Sequence, residues 1–169
     1  CRCYICAGTS DQSIETFEKI VSIAKNEIES FTGLTDVFRN EVVINMTNND
    51  GFIRNPAGFT YRLYNGSFVK TLNSNVNAKR GKRAEAVCFD ESGFLDEEVF
   101  QVIEPYTAQD KNFKMGGSVN VTTLPKELPN QLLYTSSAST TDSYFYKKYK
   151  EYSKAMIWGS KDHFVADIN

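Results

Sequence analysis

The segment AEAVCFDES, residues 84 to 92, constrains the fold more than any other stretch of this chain. Ala86, Val87, Cys88 and Phe89 are apolar without alternation, which suits a strand buried on both faces and therefore a parallel sheet with helices packed on it. The run then stops at two acids, Asp90 and Glu91. In open sheets of this kind ligands gather at the carboxyl ends of the strands, so these two carboxylates stand where chemistry is to be expected.

Two other segments repeat the pattern. The opening CRCYICAG is a short apolar run that leads into Thr9-Ser10-Asp11, able to cap a helix whose apolar positions are Ile14, Phe17, Ile20, Val21, Ala24 and Ile28. Further on, NQLLYTSSAS is an apolar strand that runs into Thr135-Ser136-Ser137. Alternating strands and helices with apolar strand cores predict an α/β fold, a mainly parallel sheet covered by helices on both faces. The polar ends at Thr9-Ser10-Asp11, Asp90-Glu91 and Thr135-Ser136-Ser137 are then expected to meet at one edge of that sheet.

Between these elements the period changes. EVVINM, GFTYRLY and SFVKTL read as strands, the last two joined by Asn65-Gly66, a hairpin signal. NSNVNAKRGKR is expected to be an exposed loop. A helix is predicted from Asp96 to Ile103, closed by Pro105, and another from Thr141 to Tyr152. Residues 106–130 give no periodicity, and KAMIWGS and HFVADI suggest two final short strands. YFYKKYKEY could stack on bases and pair with phosphates, but an amphipathic helix with half-buried tyrosines accounts for it more simply.

A length of 169 residues with 41% hydrophobic and 24% charged side chains suits one globular domain. Nineteen basic against 21 acidic residues give no global attraction to nucleic acid, so contact with DNA would need a local patch or neighbouring subunits. There is no run of about 20 apolar residues and no secretory leader pattern, and a soluble, intracellular chain is expected. Cys1, Cys3 and Cys6 lie together and Cys88 apart, with the only histidine, His163, remote from them. That spacing suits reduced, mostly buried thiols better than zinc.

Four apolar residues followed by Asp-Glu is the pattern by which a nucleotidase places a magnesium-binding carboxylate beside a second acid. Asp90 would hold Mg²⁺, directly or through water, and Glu91 would orient and deprotonate an attacking water. A strand that ends in an acidic turn gives the same letters. The surroundings narrow the reading: Asn65-Gly66-Ser67 in a hairpin, Arg80-Gly81, VCFDES, a helix with EVFQVIEP and then LLYTSSAS, in that order and spacing. Together they resemble the central and later part of the ATPase domain of large terminase subunits, the motors of viral DNA packaging. ICAGTSDQSIETFEKI resembles the strand and helix that follow the phosphate-binding helix in that family and in related helicases.

The resemblance covers nearly the whole chain. It implies a P-loop NTPase-like fold, an added β-hairpin, and residues 1–169 as a partial ATPase domain. It also gives Asp90 and Glu91 the Walker B roles and makes Thr135, Ser136 and Ser137 the motif that senses the γ-phosphate of ATP. Arg80 would reach a neighbouring subunit's nucleotide, where an arginine stabilises charge on the transferring phosphate. Lys82 and Arg83 are weaker candidates for the DNA backbone. A serine-rich turn capping the helix at Thr141 and a solvated KRGKR loop are the plainer alternatives for these motifs.

One signature is missing. The only Gly-Lys pair, Gly81-Lys82, is followed by Arg83, and Val76 stands five positions before Gly81, so G-x-x-x-x-G-K-[ST] does not occur. The family's loop is expected upstream of Cys1 and its nuclease domain beyond Asn169, leaving this fragment inactive alone. The partners implied are double-stranded DNA, portal protein, the small terminase subunit and further copies in a homo-oligomer, with no membrane. The setting implied is the host cytoplasm, the gene belonging to a phage or prophage. A helicase-like ATPase and an α/β interaction module without catalysis are the competing readings.

Overall fold

A computed structural model describes residues 1–25, 27, 40–44, 50–72, 80–108, 129–137 and 139–168. Among these residues six strands form one sheet: β1 (Arg2–Cys6), β2 (Phe52–Ile53), β3 (Thr60–Arg62), β4 (Phe68–Leu72), β5 (Ala86–Phe89) and β6 (Gln131–Tyr134). Their order is β2-β3-β4-β1-β5-β6. The neighbours β4, β1, β5 and β6 are parallel, while β2 and β3 are antiparallel additions at one edge. The sheet is therefore mainly parallel with an added hairpin, as the sequence predicts. Asn65-Gly66 closes the hairpin of β3 and β4: Gly66 takes φ +83°, where an L side chain is disfavoured, and Asn65 Oδ1 accepts the Ser67 amide at 2.9 Å.

Helix α1 (Ser10–Ala24) begins with a reciprocal cap in which Thr9 Oγ1 accepts the Gln12 amide and Gln12 Oε1 accepts the Thr9 amide. Such caps contribute about 1 kcal/mol each and fix where the helix starts. Its buried stripe of Phe17, Val21 and Ala24 packs with Val42, Phe52 and Tyr61 in one core cluster. The other core cluster joins Tyr4, Cys6, Val87 and Phe89 of β1 and β5 to Phe100 and Ile103 of α2 (Glu97–Ile103), with Tyr106 just beyond. Helix α3 (Tyr144–Ile157) adds to it by stacking Tyr144 on Phe100, centroids 4.6 Å apart.

Glu104 fastens this second layer. Its carboxylate accepts the Tyr134 hydroxyl at 2.6 Å and the Tyr144 hydroxyl at 3.2 Å, and Lys148 stands 3.8 Å away. Burial, then the hydrogen bond to Glu104 and its charge, push the Tyr134 hydroxyl far above its ordinary pKa, so it stays a donor. At the amino ends of the strands, Arg2 grips Glu85 through Nη2 at 2.6 Å and Nε at 3.1 Å, joining β1 to the residue before β5.

The structure departs from the sequence reading in several places. KAMIWGS is not a strand: Lys154 to Ile157 complete α3, and Gly159, at φ +86°, ends it by donating to the Met156 carbonyl. HFVADI likewise forms no strand, and Phe164 is left 80% exposed. Of EVVINM, Val42 makes a single bridge to Leu63, and residues 45–49 lie outside those described. Coverage of both faces stops short at β6, where Leu133 is 55% exposed, as befits an edge strand. The thiols are only partly buried: Cys6 fully, Cys3 and Cys88 half, Cys1 exposed.

Candidate functional site

Because Val87 and Phe89 point into the α2 core, strand alternation sends Cys88 and Asp90 to the α1 side. The parallel register sets Phe89 between Cys6 and Tyr134, and the Asp90 amide donates to the Cys6 carbonyl at 2.8 Å. The turn into α1, the acidic pair and Thr135-Ser136-Ser137 consequently leave adjacent parallel strands at the same edge. This is the convergence expected from the sequence.

Side chains tie the three ends together. Thr135 donates from Oγ1 to Asp90 Oδ1 at 2.8 Å, and Thr16 on α1 donates to the other oxygen, Oδ2. Glu91 lies at φ 49°, ψ 43°, a left-handed conformation that L residues adopt at a cost of about 1–2 kcal/mol. That turn brings its carboxylate to Ser137, whose hydroxyl donates to Oε2 at 3.1 Å. Ser136 Oγ accepts the Gly93 amide at 3.0 Å, and Ser92 binds the Thr135 carbonyl through both its amide, at 2.8 Å, and its hydroxyl, at 2.9 Å. Gly93 permits this approach, since a Cβ there would strike Ser139 and come within 2.7 Å of Ser136 Oγ.

An open cleft of about 460 Å³ lies over these residues, lined by Gln12, Glu15, Thr16, Lys19, Asp90, Glu91, Phe94 and Ser137. Gln12, Glu15, Thr16 and Lys19 are one stripe of α1 at helical spacing, which the sequence reading left unassigned. The signal was present as the polar face opposite the apolar positions, but such a face is ordinarily just solvated. Arg80 is exposed on the turn before β5 and is not among the residues lining this cleft. Lys82 lies over the Tyr4 ring at 5.7 Å.

Glu15, Asp90 and Glu91 against Lys19 make the cleft a place for a cation, or for an anion that brings one. All the donors are oxygens, which suits a hard divalent ion. Among the described residues no group of three or more His, Cys, Asp or Glu could hold a metal by itself, and a small ion held by one or two carboxylates completes its shell with other ligands, water or phosphate oxygens. Next to Asp90 in the alternation, burial first and the Asp90 charge second push the Cys88 thiol up to about 12, so it is neither nucleophile nor metal ligand near neutral pH.

No family model and no curated protein matches the sequence. Two solved structures are similar in course of chain. The large terminase ATPase domain of Thermus phage P74-26 gives TM-score 0.42 at 16% identity, covering 95% of this chain and 72% of that one. A mutant of the same domain, with one arginine replaced by alanine, gives 0.41 at 15% identity, covering 93% and 71%. An overlap of this degree carries no functional inference. No described helix is long and apolar enough to cross a membrane.

Proposed function

We propose that the chain is part of the P-loop NTPase-like ATPase domain of a large terminase subunit, a motor that couples ATP hydrolysis to movement of double-stranded DNA. The observation that carries the reading is the joining of the Asp-Glu pair to the hydroxyl motif by Thr135 on Asp90 and Ser137 on Glu91. A sheet can end in acids for many reasons, but hydroxyls from a neighbouring parallel strand on both acids form a unit that can register a change at either. Magnesium, when bound with ATP, would neutralise charge on the transferring phosphate. Asp90 would hold that ion, and Glu91 would orient and accept the proton of the attacking water.

Thr135, Ser136 and Ser137 would report departure of the γ-phosphate, since small hydroxyl residues can exchange partners with little movement. Arg80, exposed and outside the chain's own cleft, suits a role in a neighbouring copy's site within a homo-oligomer. A phosphate loop supplied by sequence outside these residues would complete the cradle. Portal protein and the small terminase subunit would be further partners, in the cytoplasm of a host cell carrying the phage or prophage.

The test is Glu91→Gln in the intact protein that supplies the loop. Turnover should fall by about 10²–10⁴-fold, the usual contribution of a general base, while nucleotide affinity is kept. Parallel loss of binding and turnover would assign Glu91 to folding or metal binding instead.

A further inference from the structure

Asp90 has both carboxylate oxygens engaged, Oδ1 by Thr135 and by the Glu91 amide at 3.2 Å, and Oδ2 by Thr16 alone. Thr135 reaches Oδ1 from the end of β6, whereas Thr16 reaches Oδ2 from the second turn of α1. The Thr16 hydroxyl also lies 3.2 Å from the Gln12 carbonyl, one turn earlier. A threonine hydroxyl near the carbonyl four residues back has its rotamer restricted, and its single hydrogen favours the charged acceptor over the neutral one. The oxygen therefore sits in one place and points its proton at Asp90.

We propose that Thr16 is a positioning residue for Asp90, fixing the plane of the carboxylate so that the remaining lone pair of Oδ2 faces the cleft and a divalent cation. The inference rests on the reading of Asp90 as the residue that holds the cation. Without Thr16 only Oδ1 is held, by Thr135 and the Glu91 amide, and Oδ2 can swing about that anchored atom. With donors on both oxygens, from two different elements, rotation breaks one of them. Partners of metal-binding side chains that act in this way typically change metal affinity by about 10–100-fold when removed.

The probe is Mn²⁺ alone, titrated into the chain and followed by electron paramagnetic resonance of the free ion, with thermal melting by circular dichroism on every variant. Thr16→Val keeps the shape and removes the donor, Thr16→Ser keeps the donor, and Thr16→Ala serves if valine disturbs α1. The expected result is Mn²⁺ affinity about tenfold weaker for the valine or alanine variant, near the parent value for serine, and lost in Asp90→Asn. A merely structural hydroxyl would move the melting temperature and leave Mn²⁺ affinity unchanged. Unchanged affinity in Thr16→Val with loss in Asp90→Asn would overturn the positioning role alone, as would equal weakening by valine and serine. Affinity unaffected by Asp90→Asn, or no Mn²⁺ binding by the parent chain, would overturn the cation reading itself.

Discussion

Replacing Glu91 by glycine and by alanine isolates what its backbone conformation costs. At φ 49°, ψ 43° it is the only non-glycine residue among those described with a positive φ. Both variants lose the Ser137 contact at 3.1 Å, so that loss cancels in the comparison. Alanine keeps the left-handed strain of about 1–2 kcal/mol that glycine escapes. Glycine in turn gives the unfolded chain about 0.4–1 kcal/mol of extra entropy. The difference should leave Glu91→Gly more stable than Glu91→Ala by about 0.5–1 kcal/mol, or roughly 1–4 °C in Tm for a chain of this size. Urea unfolding followed by far-ultraviolet circular dichroism, with equal slopes for the two variants, measures it. At an ordinary position in a helix or strand the order is reversed, so the sign alone decides. If alanine equals or exceeds glycine, Glu91 does not sit in the left-handed region and the geometry that brings it to Ser137 is wrong.

Phe100→Ala should cost about 3–5 kcal/mol in the same assay, because Phe100 is fully buried between Phe89 and Tyr144; a loss below about 1 kcal/mol would mean that α2 and α3 do not pack as described. The Cys88 thiol, raised from 9.0 to about 12 in the folded chain, contributes stability that is fully present below pH 9 and lost as pH rises toward 12. Cys88→Ser should accordingly flatten the alkaline limb of a stability-pH curve, and an unchanged limb would refute the shift. Calorimetry of this chain with Mg-ATP should show only weak, Mg²⁺-dependent binding, since no phosphate loop is present to offset the negative cleft. A micromolar one-to-one isotherm would show that it holds phosphate by some other route.

Elements whose residues answer to one local rule were legible in the sequence. Ala86 to Phe89 announce a buried strand by lack of alternation, Thr9 and Gln12 announce a helix start, and Asn65-Gly66 a hairpin, and each forms as expected. The C-terminal part was misread because Ala155, Met156, Ile157 and Trp158 make a short apolar run that length alone cannot assign to strand or helix. The helix prevails because Tyr144, Lys148 and Tyr152 repeat every four residues along one face, meeting Phe100, Glu104 and Tyr134. The helix runs on past Tyr152 to Ile157 until Gly159 stops it.

The site was legible in the same uneven way, and sheet order explains why. Asp90, Glu91 and Thr135 to Ser137 could be picked out because each follows an apolar run, and the end of a parallel strand has a defined address. Gln12, Glu15, Thr16 and Lys19 have no such address. A polar stripe on a helix faces water unless a neighbouring element comes up beside it, and nothing within residues 10 to 24 specifies which element that is. It is the placement of β1 beside β5, with Cys6 opposite Phe89, that sets α1 next to the residue following Phe89. The Thr16 to Asp90 hydrogen bond is thus a product of topology acting across 74 residues of sequence. Its chemical consequence follows from the same fact: the group that holds Asp90 from the α1 side belongs to the helix after β1, so a shift of α1 against the sheet would be felt first at that carboxylate.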